Sequence, residues 1–205
     1  KDFIQSKIIF KSMEPDKFYH FFNRANNREN LFIEDENYRF FLQLLSKYIP
    51  PIAEVYSYCL LPNHFHLVLR MKKEDELPVE IRTGSRKLSQ PFSNLFNAYA
   101  KAFNKKYNRR GSLFQTHPKR IEINNTAYLQ EVILYVNNNA GHHRIAEPQL
   151  YAHSSYHALL SNSKTLLARQ KVIELFGSMV EFEECLEDKN RRIELEQSML
   201  LEDED

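Results

Sequence analysis

Two histidines at alternate positions, His64 and His66, are the residues of this chain best placed to do chemistry. They lie in segment 62–69, PNHFHLVL, which predicts a strand that follows a turn. Side chains alternate between the faces of a strand, so both imidazoles project from one face while Phe65 and Leu67 project from the other. A pair of neutral imidazoles on a strand can chelate a divalent cation if a third ligand joins them. Two half-buried structural histidines would show the same spacing.

A helix predicted after residue 124 offers two further polar groups. The oxygens of residues 124–126 can cap its first turn. Its apolar stripe is Tyr128, Leu129, Val132, Ile133 and Val136. Tyr135 and Asn139 lie one turn apart at the border of that stripe, which places a phenol and an amide on the same edge. A boundary tyrosine and an asparagine that closes the helix are the alternative interpretation.

The net charge of +1 conceals two regions of opposite sign. Residues 181–205 have 11 acidic and 3 basic side chains, so residues 1–180 have a net charge of +9. A basic domain is expected in a protein that binds a polyanionic partner, although many basic proteins bind no nucleic acid. The acidic tail is typical of a solvated or frayed helix.

Length and composition indicate one domain with an appendage. A chain of 205 residues with 42% hydrophobic content can bury a core. It has no apolar run of the ~20 residues that span a bilayer, and Lys1 to Gln5 show no signal-peptide pattern, so we expect a cytoplasmic protein. The two cysteines, Cys59 and Cys185, lie far apart and suggest neither a disulfide framework nor a thiolate metal site. We expect Cys59 to be a core residue.

The predicted elements alternate between strands and helices. They are a strand at 19–24, a helix at 40–48, strands at 54–61 and 64–71, a charged flexible connection at 72–90, a helix at 92–107 and a strand at 117–124. The order βαββαβ predicts an α+β, ferredoxin-like antiparallel sheet, with helices mainly on one face and the other face free for a site. A helical extension follows at the C-terminus.

Basic and aromatic residues are interleaved in the second half of the predicted domain, a pattern typical of single-strand binding. The candidate DNA contacts are Lys101, Lys105, Arg109, Arg110, Lys119 and Arg120, interspersed with Tyr99, Tyr107 and Phe114. Of the aromatic residues, we expect Tyr99 to belong to the core. Ordinary solvated charge is the alternative interpretation of the basic residues.

Five segments together resemble the successive signatures of REP-associated tyrosine transposases, which are single-tyrosine HUH transposases. The segments are 23–32 (NRANNRENLF), 61–67 (LPNHFHL), 111–115 (GSLFQ), 135–139 (YVNNN) and 154–156 (SSY). The resemblance runs from about residue 17 to about residue 160, with a weaker echo at 172–177. It suggests a transposase domain at 1–160 and a helical extension with an acidic tail at 161–205.

The resemblance implies a function and a site. His64 and His66 match the HUH pair, Tyr135 matches the nucleophile, and Asn139 matches the polar residue that completes a site for Mg²⁺ or Mn²⁺. The implied reaction is nicking and strand transfer of single-stranded or hairpin DNA through a 5′-phosphotyrosine intermediate. We expect a monomer whose site is completed in cis, with a homodimer as the alternative, because the segment before Tyr135 is short.

One departure from the family concerns the residue after Asn139, which is commonly proline and here is Ala140. Downstream, His142 and His143 are candidates for phosphate contact or for supporting the metal site, and they could also simply be solvent-exposed. Two other functions remain open. One is a domesticated, weak or inactive DNA-binding protein, and the other is a metal-dependent phosphodiesterase that uses water.

Overall fold

The computed structural model describes residues 12–202, without the side chains of Arg28 and of residues 194–202. Within this part of the chain, four antiparallel strands form one sheet in the order β2-β3-β1-β4. The strands are β1 (Phe18–Arg24), β2 (Ala53–Leu61), β3 (His64–Met71) and β4 (Lys119–Ile123). This order is that of a split β-α-β sheet, and it confirms the predicted ferredoxin-like class.

Two long helices cover one face of the sheet. Helix α1 (Asp35–Tyr48) begins where the Asn37 side chain accepts bonds from the backbone of Ile33 and Glu34, and it ends before Pro50, which lacks an N–H. The predicted flexible connection contains a single helical turn, α2 (Val79–Arg82), and leads into α3 (Gln90–Lys106). Aromatic side chains fill the space beneath these helices: Phe21, Phe41, Phe65, Phe92 and Tyr99.

The remaining helices lie on the other side of the sheet. They are α4 (Thr126–Asn137), α5 (Asn139–His142), α6 (Tyr156–Leu160), α7 (Arg169–Phe176) and α8 (Met179–Glu202). Helix α4 packs over β2 and β3, and α7 and α8 pack against α4. Only part of this second face is therefore covered, and a cleft remains where β1 and β4 meet the end of β3.

The C-terminal extension contributes to the same core as the sheet. Phe182 and Leu186 of α8 are fully buried. Before the extension begins, segment 153–155 pairs with the outer edge of β2. Cys59 of β2 is fully buried, as expected, and both cysteines are free thiols. Lys1 to Gln5 and the last three residues of the acidic tail lie outside the described residues. Among the helices that are described, none is both long and apolar enough to cross a bilayer.

Candidate active site

The hairpin turn between β2 and β3 positions the histidine pair. Its two residues, Pro62 and Asn63, present their carbonyl oxygens to the chain that follows β1. The Pro62 carbonyl accepts bonds from the backbone N–H groups of Leu31 (2.7 Å) and Phe32 (2.9 Å), and the Asn63 carbonyl accepts one from Ala25 (2.9 Å). These bonds hold the turn rigidly, because three separate backbone donors satisfy its outward-facing carbonyls.

Both imidazoles project from the face predicted by the alternation. Phe65 and Leu67 are buried on the α1 and α3 side, whereas His64 and His66 border a cleft of about 580 Å³ on the opposite side. The cleft is lined by Phe22, Asn23, Arg24, Asn63, His64, His66, Gln115, Lys119, Tyr135, His143 and Ile145. Tyr135 thus enters the same cavity as the histidine pair, and its ring centroid lies 5.9 Å from that of His66.

Burial and hydrogen bonding keep both imidazoles neutral. The Nδ1 of His64 lies 2.6 Å from the Asn63 side-chain oxygen, which can only accept, so Nδ1 carries the proton and Nε2 keeps its lone pair. Burial, with smaller effects from His143 and Arg24, lowers the pKa of His64 to about 4. Burial also lowers the pKa of His66 well below its ordinary value, with smaller effects from neighbouring histidines. Both rings are available as ligands at neutral pH.

His20 also belongs to the candidate site, and its place there was not apparent from the sequence. Its Nε2 lies 2.8 Å from Nδ1 of His66, and the two rings stack with centroids 5.0 Å apart. Only 7% of His20 is exposed, and burial lowers its pKa to about 4. When Nδ1 of His66 donates to His20, the Nε2 lone pair of His66 is left for a ligand. The sequence signal was the alternation of His20 and Phe22 along β1, which is informative only once the register with β3 is known.

Helix α4 carries Tyr135 into the cleft. The Asn125 side chain caps the helix by accepting from the backbone N–H of Tyr128 at 2.8 Å. At the other end, the buried Asn137 side chain donates to the Ser57 hydroxyl (3.1 Å) and accepts from the Ser155 hydroxyl (2.7 Å). Burial raises the pKa of Tyr135, and the neighbouring Asn139 amide partly opposes this effect, so the phenol is protonated at neutral pH.

The structure differs from the prediction in how Asn139 is held. Helix α4 ends at Asn137, and Asn139 begins the short helix α5, so Tyr135 and Asn139 do not share one uninterrupted helix. At this junction the side chains of Asn137 and Asn138 donate to the carbonyls of residues 133 and 134, while the backbone N–H of Asn138 also donates to the Leu134 carbonyl. Asn139 is 0% exposed, and among the described residues neither of its amide atoms has a hydrogen-bond partner.

The predicted DNA contacts occupy separate surfaces. Only Lys119 lines the cleft. Lys101 and Lys105 are exposed on α3, across the sheet from the histidines, and Arg120 lines a groove between α3 and the loop after it. Arg110 is exposed in the turn before Gly111. The structure does not gather these side chains into one patch.

Arg109 has a structural role in the same turn. Its guanidinium forms an ion pair with Glu29, and it donates to the Asn104 side chain (3.2 Å) and to the carbonyls of Gly111 (3.1 Å) and Ser112 (3.0 Å). These bonds satisfy much of the donor capacity of the side chain. Contact between Arg109 and DNA phosphate stays a prediction.

The three aromatic residues predicted to interleave with the basic ones also lie outside the cleft. Tyr99 is 1% exposed and donates its hydroxyl to the Leu31 carbonyl at 2.6 Å, which confirms its assignment to the core. Phe114 is buried, and the Tyr107 hydroxyl bonds to Glu34 and Asn37. The aromatic side chains that line the cleft are instead Phe22 and Tyr135.

The two histidines after α4 lie at the mouth of the site. The ring of His143 lines the cleft, with its centroid 4.8 Å from that of His64. Partial burial lowers the pKa of His143. The ring of His142 is 5.7 Å from Tyr135, and this residue is exposed. Both positions suit contact with an anion bound in the cleft, and such a role stays a prediction.

A cation bound here would depend on Asn139. No group of three or more His, Cys, Asp or Glu side chains suited to a metal occurs in the described part of the chain. Two neutral imidazoles and a buried amide oxygen without a partner nevertheless form a chemically sensible donor set. Tyr135 lies near both kinds of donor. Its ring centroid is 5.9 Å from that of His66, and Asn139 partly opposes the rise in the pKa of its hydroxyl. The chemistry of these donors therefore fits a divalent cation, although Asn139 is fully buried and is not among the residues that line the cleft, so a bound cation stays a prediction.

Fold and site together define a class of protein: a ferredoxin-like α+β domain in which a His-x-His pair on an inner strand faces a tyrosine from the helix after the fourth strand. The chain is similar in fold to a solved structure of a REP-associated tyrosine transposase bound to a REP hairpin. The TM-score is 0.60 at 15% sequence identity, and the match covers 77% of this chain and 87% of that chain. A scan against protein-family models finds no match, and neither does a search of curated proteins.

Proposed function

We propose that this protein nicks and rejoins single-stranded DNA through Tyr135, as a transposase of the HUH type. The observation that carries the proposal is the placement of the Tyr135 ring 5.9 Å from His66, in a cleft that also contains Lys119 and Arg24. A nucleophile, a ligand pair and phosphate-binding cations thus share one cavity. The solved structure of similar fold is bound to a REP hairpin, which supports single-stranded or hairpin DNA as the partner.

In the proposed step, the Tyr135 hydroxyl attacks a backbone phosphorus. The phenol loses its proton as the oxygen–phosphorus bond forms, and the bond from phosphorus to the 3′ oxygen breaks. The leaving oxygen takes up a proton and becomes a 3′-hydroxyl, while the 5′ phosphate stays on the tyrosine. Because the phosphodiester is exchanged for another ester, rejoining to a new 3′-hydroxyl requires no ATP.

The chain's own residues orient this reaction. Lys119 and Arg24 offer cationic contacts to the phosphates on either side of the attacked one. Burial raises the pKa of the Tyr135 phenol, and Asn139 beside it partly opposes this rise, which favours loss of the proton relative to a phenol without that amide. His64, His66 and Asn139 would hold Mg²⁺ or Mn²⁺, and the cation would supply stabilisation of the charge that develops on the phosphate oxygens.

The test of the nucleophile is a covalent adduct. Wild-type protein mixed with Mn²⁺ and an end-labelled single-stranded oligonucleotide should form a protein–DNA band that survives denaturation, and Tyr135→Phe should form none. Tyr128→Phe is the matched control, because Tyr128 lies on the same helix and is half-buried outside the cleft. Binding without an adduct in wild type would indicate a DNA-binding protein, and cleavage retained by Tyr135→Phe would indicate a water-using phosphodiesterase.

The test of the metal site is calorimetry with Mn²⁺. Wild type should bind one equivalent, and His64→Ala and Asn139→Ala should each bind at least tenfold more weakly. His157→Ala, which alters an exposed histidine on α6, should bind as wild type does. Equal Mn²⁺ affinity in all four proteins would show that the cation does not bind at this position.

A further inference from the structure

A row of three side chains crosses the open end of the sheet. His66 on β3, Phe22 on β1 and Lys119 on β4 are direct register partners, so they project from the same face. Adjacent strands lie roughly 4.8 Å apart, so the row runs about 10 Å from the ligand pair to the edge of the sheet. An imidazole, an aromatic ring and a cation are thus aligned across the strands.

Phe22 is the unexplained member of this row. Its neighbour Phe21 packs in the core against Phe65 and Phe92, and Phe22 points the other way, into a cleft lined largely by polar and charged groups. The Phe22 ring stacks on His66 with centroids 5.3 Å apart and lies 4.9 Å from His20. Part of the ring remains accessible in the cleft. Apolar surface left in a polar cleft is typical of a ligand site.

The charges around Phe22 select the kind of ligand. Lys119 is exposed on one side of the ring. Arg24 lies two positions along β1 on the same face, next to His64, and is also exposed. Neither cation forms an ion pair with a carboxylate in the described part of the chain. An aromatic surface between two uncommitted cations fits a ligand that alternates flat bases with phosphates.

We propose that Phe22 is a stacking platform for the nucleobase beside the phosphate that Tyr135 attacks, with Lys119 against an adjacent phosphate. This inference rests on the proposed function and adds a base-binding subsite to it. The ligand is single-stranded DNA, because a duplex keeps its bases stacked on one another and presents no open base face to the ring. Stacking is tolerant of sequence, since every base has a flat π-face.

Fluorescence gives a direct test, because the chain contains no tryptophan. Phe22→Trp introduces a single reporter at the platform, and its emission should be quenched when an unstructured oligonucleotide is added. Phe18→Trp is the matched control. Phe18 lies on the same strand and face, but it packs against Tyr56, with ring centroids 5.1 Å apart, at the far end of the strand. Its emission should not change.

Affinity measurements give the second test. Phe22→Leu should bind an unstructured oligonucleotide about tenfold more weakly than wild type, while Phe22→Trp and Phe18→Leu stay within about twofold. Single abasic sites placed in turn along the oligonucleotide should reveal one position at which the affinity of wild type falls about tenfold. At that position the affinity of Phe22→Leu should not fall further. Such a coupling assigns the base to the ring. Mn²⁺ affinity measured on the same variants shows whether the imidazoles are unaffected.

The outcomes separate this inference from the proposed function. If wild type forms the covalent adduct and Phe22→Leu binds equally well, the platform is wrong and the nicking activity stands. Quenching of Phe22→Trp by duplex to the same extent as by single strand also overturns the platform. If wild type binds no single-stranded DNA, both proposals fail together.

Discussion

The buried pair of His20 and His66 shows how single residues set the chemistry of this cleft. Each ring lies in a poorly solvated environment, and the hydrogen bond between them is satisfied only when at least one ring is neutral. Burial lowers the pKa of His20 to about 4. The same burial that keeps these rings neutral makes their protonation costly, which links the site to the stability of the fold.

In metal-free buffer, we expect the free energy of unfolding to decrease as the pH is lowered. The unfolded chain binds protons on its histidines near the ordinary pKa of 6.5, whereas folded His20 does not until about pH 4. The stability due to its neutral form is therefore complete above pH 6.5 and is lost as the pH falls toward 4. His20 alone should account for up to about 3 kcal/mol. Urea unfolding at intervals from pH 7 to 4 measures this loss.

The control for this pH dependence is another histidine. His20→Gln should flatten the dependence of the free energy of unfolding on pH, and His157→Gln, which alters an exposed residue, should not. An unchanged slope in His20→Gln would show that His20 is not the group responsible.

Lys119 should carry a measurable share of the salt dependence of DNA binding. Plots of log K against log salt for an unstructured single strand should be shallower for Lys119→Ala by about 0.7, the release expected for one phosphate contact. Lys105→Ala should leave the slope unchanged, because Lys105 lies on α3 across the sheet. Equal changes in slope for the two substitutions would mean that the bound DNA strand does not follow the cleft.

At the scale of elements, the site depends on how α4 is attached to the sheet. Asn137, Ser57 and Ser155 form a closed triangle of side-chain hydrogen bonds, all three fully buried, between α4, β2 and the start of α6. The Ser155 hydroxyl also accepts from the backbone N–H of Tyr58 at 3.0 Å. This network fixes the end of α4 two residues beyond Tyr135. A buried polar network of this kind holds one geometry because any shift leaves a partner unsatisfied.

Removing the centre of the network should therefore be costly. Asn137→Ala removes one hydrogen-bond partner from each of two buried hydroxyls and should reduce the free energy of unfolding by about 2–3 kcal/mol. It should also reduce adduct formation through misplacement of Tyr135. Asn97→Ala, at an exposed position on α3, should change stability by less than about 0.5 kcal/mol. Urea unfolding measures the free energy of unfolding of both variants. Similar decreases in the two would contradict a stabilising role for the Asn137 network.

At the scale of the whole molecule, the connection between β4 and α4 bears on whether the site is completed in cis. Only residues 124 and 125 separate β4 from α4, and two residues span about 7 Å at most. So short a connection keeps the start of α4 next to β4, and α7 and α8 pack against α4. Lys189 of α8 forms an ion pair with Glu131 of α4 at 3.1 Å. The monomer stays a prediction, and this arrangement supports a site that is completed in cis.

Mixing two inactive proteins tests the cis arrangement. His66→Ala lacks a ligand, and Tyr135→Phe lacks the nucleophile, so neither should form the covalent adduct alone. If each chain builds its own site, the mixture should remain inactive, because no molecule contains both groups. Adduct formation in the mixture, on the His66→Ala chain, would mean that the tyrosine acts in trans.

Several features of this protein follow from the sequence by itself, because they depend on local periodicity. Alternation along β3 places His64 and His66 on one face, since side chains repeat every second residue in a strand. The apolar spacing and the N-terminal cap predict α4, and they place Tyr135 at the edge of its buried stripe. The order of elements predicts the sheet, because few connections are compatible with it.

Only the tertiary structure decided which of these side chains meet. His20 bonds to His66 because β1 pairs with β3 in one register, and a shift of one residue would have turned it to the opposite face. Lys119 enters the cleft, while the neighbouring Arg120 faces α3 and Arg109 is held by the turn. Local patterns determine the face of each element, whereas strand register and helix placement depend on contacts between residues far apart in the chain.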